Sequence, residues 1–172
     1  MAERGETDLV GGVVAWWARH APELPVRTIE FTKRVARMHA LTDRVTVAVL
    51  TGFGLSRAEY DVLGTLLTAG DAHLKPSELS SRLLLTTGGL SNVLRSLERR
   101  GLTSQTSDAS DGRSRRVALT AEGKDVAERV VREVVAAQHD LLGKAGDADV
   151  EAAVTALAAV LDPLDRRASP EV

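Results

Sequence analysis

The chain has 172 residues, enough for one packed domain, and its 22 basic and 24 acidic side chains leave a formal charge of only −2. With no cysteine, disulfides, thiolate zinc sites and thiol redox switches are excluded. The opening MAERGETDLVGG has neither the basic start nor the apolar core of a secretory signal, and no run approaches the roughly 20 apolar residues of a membrane span, so a cytoplasmic protein without a membrane partner is expected.

Aromatic residues make up only 3 % of the chain while Ala, Val and Leu abound, which favours a mainly α fold with aliphatic packing. A first helix is expected from about Asp8, an N-cap residue, to His20, ahead of Pro22 and Pro25. A second spans about Thr28 to Thr51, with Ile29, Val35, Met38, Leu41, Val45, Ala48 and Val49 as a broad apolar face and Gly52 and Gly54 closing it. Ser56 and Glu59 form a capping box that opens a third helix through Ala69, with the stripe Tyr60, Val62, Leu63, Leu66 and Leu67.

Gly70 to Lys75 reads as a turn, with room for a short strand, and Pro76 starts a fourth helix that ends by Leu84. Thr86 or Thr87 caps a fifth, whose apolar residues Leu90, Val93, Leu94 and Leu97 follow the i, i+3, i+4, i+7 pattern until Gly101 stops it. Two β-prone pieces then flank a polar tip at residues 108–114. Helices four and five joined by a tight turn, with a two-stranded β wing, make a winged helix-turn-helix over residues 55–119.

Thr120 and Glu122 begin a sixth helix through Leu142, with Val126, Val130, Val134 and Leu141 on one face. After a break at Gly143 to Asp147, a last helix runs from about Asp147 to Arg166 with Val150, Val154, Leu157, Leu161 and Leu164 in alternating steps of four and three. Such a seam packs on another helix, in the same chain or in a second copy. Two long aliphatic helices after a fold that already has a core favour the second copy, so residues 8–51 and 120–166 are expected to be dimerisation helices of a single domain, 1–172.

The near-neutral total hides an uneven distribution. From Lys75 to Arg116 there are eight basic residues against four acidic ones, a balance of +4, while residues 1–74 carry eight against nine and residues 117–172 six against eleven. A basic middle between acidic ends suits a DNA face, because phosphate contacts supply most sequence-independent affinity. On the polar side of the fifth helix, Thr86, Thr87, Ser91, Asn92 and Arg95 are placed to reach phosphates or base edges, and bidentate contacts from Arg or Asn are worth about 1–3 kcal/mol each.

Gly88 and Gly89 open that helix and let its backbone approach DNA closely, unless they form only a loose first turn. Arg113 at the hairpin tip is expected in the minor groove or on backbone. Arg115 and Arg116 either join it or pair with Asp108 and Asp111 to hold the wing. An enzyme is disfavoured by the lack of a phosphate loop or of a nucleophile with a base. A winged-helix module for protein contacts alone is the remaining alternative. The four histidines, His20, His39, His73 and His139, lack metal-ligand spacing, and no metal or cofactor is expected.

GLSRAEYDVLGTL (Gly54 to Leu66), LERRGL (Leu97 to Leu102) and the wing Asp108, Asp111, Arg113 leading into VALTAEGK (Val117 to Lys124) together resemble the multiple antibiotic resistance regulator (MarR) family of winged-helix repressors. Trp17 followed by Pro22, then Arg34, Arg37 and Asp61, is similar to the subfamily that responds to urate or related anionic metabolites. The resemblance implies a homodimer that binds a pseudo-palindromic operator and is released by a small anionic or aromatic effector. Trp17, Arg34, Arg37, Asp61 and Arg95 would be the ligand-response residues, with Trp17 as an aromatic plate. A structural salt bridge from Asp61 to Arg34, Arg37 or Arg95 is the plainer role for that carboxylate. Where relatives read close to GGMTNRLDRLE, this chain has GGLSNVLRSLE, so Val93 and Ser96 stand where basic residues are common and Arg95 where an acid is common. Gly112 likewise replaces a usual Arg in the wing.

Overall fold

The computed structural model describes residues 8–70, 72–83, 86–107 and 115–168. Seven helices and one two-stranded sheet lie within them, in two compact units that divide after Arg44.

The first unit holds α1 (Leu9–His20) and most of α2 (Val26–Phe53). Asp8 caps α1, its carboxylate accepting from the Gly11 amide at 3.0 Å. The same carboxylate takes a two-pronged hydrogen bond from Arg34 of α2, at 2.9 and 3.3 Å, and Arg34 also reaches Glu30. The Arg34 guanidinium, with the Gly11 amide, holds the Asp8 carboxyl below the usual carboxylate range. Trp16 stands edge-on to Trp17 and stacks on His20 at 4.2 Å. No residue of α1 is buried. Phe31, Val35 and Met38 of α2 are also exposed.

The second unit has the core. α3 (Arg57–Thr68) packs against α4 (Pro76–Leu83), α5 (Thr87–Arg99), α6 (Ala121–Leu142) and the strand β2 (Arg115–Leu119). Its apolar stripe explains this centrality: Val62 and Leu63 are fully buried and Leu66 nearly so. Leu79 of α4, Leu90, Leu94 and Leu97 of α5, and Val130 and Val134 of α6 complete one aliphatic cluster. Gln138 of α6 donates to the hydroxyl of Thr46 of α2 at 3.0 Å, giving a partner to the side chain of a residue that is only 2 % exposed.

β1 (Thr103–Ser107) pairs antiparallel with β2, Thr103 opposite Leu119 and Ser107 opposite Arg115. The turn before α4 adds a single bridging residue, Leu74, which exchanges both backbone hydrogen bonds with Val117. The short strand expected there is therefore one residue long.

Helix boundaries depart from the sequence reading by a turn or less. α2 begins directly after Pro25 and runs through Gly52, so Gly54, at φ +61°, is the residue that ends it. α3 stops at Thr68, with Ala69 as its C-cap. Thr86, not Thr87, caps α5, accepting from the Gly89 amide. The end of the fourth helix at Leu84 lies outside the described residues.

At the start of α6, Thr120 accepts from the Gly123 amide at 2.9 Å and donates to the Gly101 carbonyl at 2.6 Å. A Cβ on Gly123 would stand 1.8 Å from the Leu102 carbonyl oxygen, so only glycine lets the first turn of α6 press against the backbone that joins α5 to β1. The last helix, α7 (Asp147–Ala168), reaches slightly past the expected Arg166 and carries Val154, Leu161 and Leu164 more than half exposed.

Candidate nucleic-acid interface

The polarity of α5 is set by its sequence. Leu90, Leu94 and Leu97 turn into the core, which leaves Ser91, Asn92 and Arg95 exposed together on the opposite face. Arg95 donates to Asn92 Oδ1 at 3.2 Å, so the guanidinium and the side-chain amide stand side by side. Gly88 is exposed and Gly89 half-buried at the start of this helix, and a Cβ at Gly88 would meet nothing, so space alone does not require glycine there. The side chain of Thr87 lies outside the described residues.

Ser96 of α5 and its C-cap Arg100 take part in packing away from that exposed face. Ser96 turns inward: its hydroxyl donates to Glu59 Oε1 of α3 at 2.7 Å. Glu59 is 7 % exposed, and its other oxygen accepts from the Ser56 amide at 2.8 Å and from the Ser56 hydroxyl at 2.9 Å. Burial alone would push the Glu59 carboxyl up. The Ser56 amide, the Ser96 and Ser56 hydroxyls and the nearby Arg100 charge outweigh that and hold it below the usual range. Arg100, the C-cap of α5, lies 3.8 Å from Glu59 and donates to the carbonyls of Gly54 and Phe53 at 2.9 and 3.2 Å. It thus satisfies carbonyls that the end of α2 leaves open. The sequence reading treated Glu59 only as a cap and gave Arg100 no role beyond charge. The signal for Glu59 was its third-position place in the capping box; none marked Arg100.

In the wing, Arg115 is exposed beside Gln105, Thr106 and Glu98. Arg116 instead anchors the wing to the preceding turn, donating to the His73 carbonyl at 3.0 Å. The Thr106 hydroxyl stands 3.5 Å from the His73 ring. Arg113, with Asp108, Asp111 and Gly112, lies outside the described residues.

The residues expected to answer a ligand separate into distinct surroundings. Arg34 and Arg37 line a cavity of about 300 Å3 in the first unit with Asp8, Met38 and Leu41. Trp17 is half-buried on α1. Asp61 takes two hydrogen bonds from Arg57, one turn earlier, at 3.0 and 3.2 Å. The expected partners Arg34 and Arg95 are engaged instead with Asp8 and Glu30 and with Asn92. The correction has a simple origin, since residues four apart on a helix are neighbours and need no tertiary contact to pair. Asp61 also borders an open cavity of about 400 Å3 with Tyr60, Thr65, Leu83 and Val131. Burial, with the Asp61 carboxylate beside it, pushes the Tyr60 hydroxyl up. No helix among the described residues is long and apolar enough to cross a membrane.

Residues 53–114, which contain α3 to α5 and the first hairpin strand, β1, match the model of the MarR family. The HTH-type transcriptional regulator PecS of Dickeya dadantii is 31 % identical over 134 residues, covering 77 % of this chain and 81 % of the relative. Among solved structures, a cysteine-to-serine mutant of MarR from E. coli superposes with a TM-score of 0.69 at 23 % identity, over 76 % of this chain and 95 % of that one. The S. aureus MepR–DNA complex does so with a TM-score of 0.62 at 23 % identity, over 77 % and 94 %. The exposed face of α5, the hairpin beside it and these likenesses lead to one conclusion: the chain belongs to the MarR family of helix-turn-helix transcriptional regulators.

Proposed function

We propose that the protein is a cytoplasmic, ligand-responsive repressor that binds a pseudo-palindromic operator as a homodimer. The face of α5 that shows Asn92 and Arg95 over a buried leucine stripe carries this reading. Asn92 and Arg95 read base edges in the major groove, Thr86, Thr87, Ser91 and the Gly88–Gly89 backbone engage phosphates, and Arg113 and Arg115 contact DNA from the wing. Arg116 holds the wing's root, as its bond to the His73 carbonyl supports. Two-fold pairing is supported by the exposed apolar side chains on α1, α2 and α7, among them Trp16, Phe31, Leu161 and Leu164, which a second copy would cover.

The effector is a small anionic or aromatic molecule. The cavity beside Asp61 and the arginine-lined cavity of the first unit, with Trp17 on α1, support a response through Trp17, Arg34, Arg37, Asp61 and Arg95. Fluorescence anisotropy with DNA from the gene's upstream region, alongside sedimentation analysis, tests the core of the reading. A dimer that binds one palindromic segment far more tightly than scrambled DNA supports it. Equal, weak binding to both would leave only a protein-contact module.

A further inference from the structure

We propose that a cavity at the root of the wing is a binding site for a small aliphatic carboxylate. The cavity holds about 270 Å3 between the end of α3, the turn at His73, the end of β2 and the first turn of α6. That is near the lower bound of small-molecule sites, and it suits a chain of about six carbons. Its apolar lining is Leu66, Leu67 and Leu119. The charged and titratable groups that border it are Lys124 and His73, with no carboxylate among the described lining residues. Lys124 is exposed and makes no ion pair among the described residues.

An acid whose tail lies on the leucines therefore meets a cation at the mouth, whereas an amine of the same length does not. The site shares only Leu67 with the cavity beside Asp61 and contains none of the residues assigned to DNA. It does include His73, whose carbonyl accepts from Arg116 and whose ring neighbours Thr106, so an occupant braces the wing where the hairpin joins the turn.

The test titrates the full-length, isotopically labelled protein with hexanoate, hexylamine and hexanol while following backbone amide shifts. Hexanoate is expected to give saturable shifts at Gly70, His73, Ala121 and Lys124, and the amine none at these positions. Lys124→Gln should weaken hexanoate about five-fold, the scale of one partly exposed ion pair. Ala121→Leu, at the exposed lip, should abolish the saturable shifts by filling the space. Hexanol binding as tightly as hexanoate, no saturable shift at these four amides, or undiminished affinity in both variants would each overturn the proposal.

Discussion

Ser96 of α5 and Glu59 of α3 are 37 residues apart in sequence and joined by a 2.7 Å hydrogen bond. Because Glu59 also caps α3 and stands beside Arg100, which holds the end of α2, this carboxylate ties the two flanking helices to α5.

Removing the hydroxyl tests that tie. A hydrogen bond to a buried charged group is worth about 1.5–3 kcal/mol, so Ser96→Ala should lower unfolding free energy by that amount in urea titrations. Operator affinity should fall at the same time, although Ser96 turns inward, away from the exposed face with Asn92 and Arg95. An unchanged denaturation midpoint would mean that Ser96 merely fills space.

The same carboxylate predicts an acid-side dependence. Its folded pKa lies below the unfolded value, so its contribution is complete above the unfolded value of about 4.3 and is lost as pH falls through the folded one. Glu59→Gln should be less stable than the parent at neutral pH, and the gap should narrow on acidification. Parallel stability curves from neutral to acid pH would contradict the assignment.

Gly123→Ala is expected to be among the most damaging single substitutions. The added methyl would collide with backbone at Leu102, and overpacking without a flexible neighbour costs about 3 kcal/mol or more. Gly88→Ala, with nothing near its Cβ, should leave thermal stability almost unchanged. Comparable melting temperatures for the two variants would show that α6 can shift off the Leu102 backbone.

On DNA, Arg95→Ala should cost about 1–3 kcal/mol of specific binding, while Arg115→Ala should weaken all sequences alike and reduce the salt slope by about one. A salt titration of each variant on specific and scrambled DNA separates base contact from phosphate contact.

For the paired state, Leu161→Glu places a charge in the exposed seam of α7. Sedimentation should then show monomers at concentrations where the parent is dimeric, because burying an unpaired carboxylate costs several kcal/mol. An unaltered dimer would remove that seam from the interface.

Much of this was legible because it is local. The Ser56–Glu59 box, the Thr86 and Thr120 caps, the leucine stripe of α5 and the two hairpin strands depend on spacings of two to four residues, which sequence displays directly. The Asp61–Arg57 pair has the same four-residue spacing and was open to the same rule, yet the reading sought its partner at a distance. Family resemblance added the expectation of an effector, but resemblance assigns residue types and not which way each turns.

What the amino-acid order determined by itself is the succession of elements, the face of α5 that meets the core and the concentration of positive charge beside it, since periodicity and charge are properties of neighbours along the chain. Only the tertiary structure decided that Ser96 serves Glu59, that Arg100 closes the end of α2 and that Arg116 holds the His73 turn. Those side chains find partners 37 to 47 residues away, and which distant group each one meets depends on how the helices pack and not on spacing along the chain.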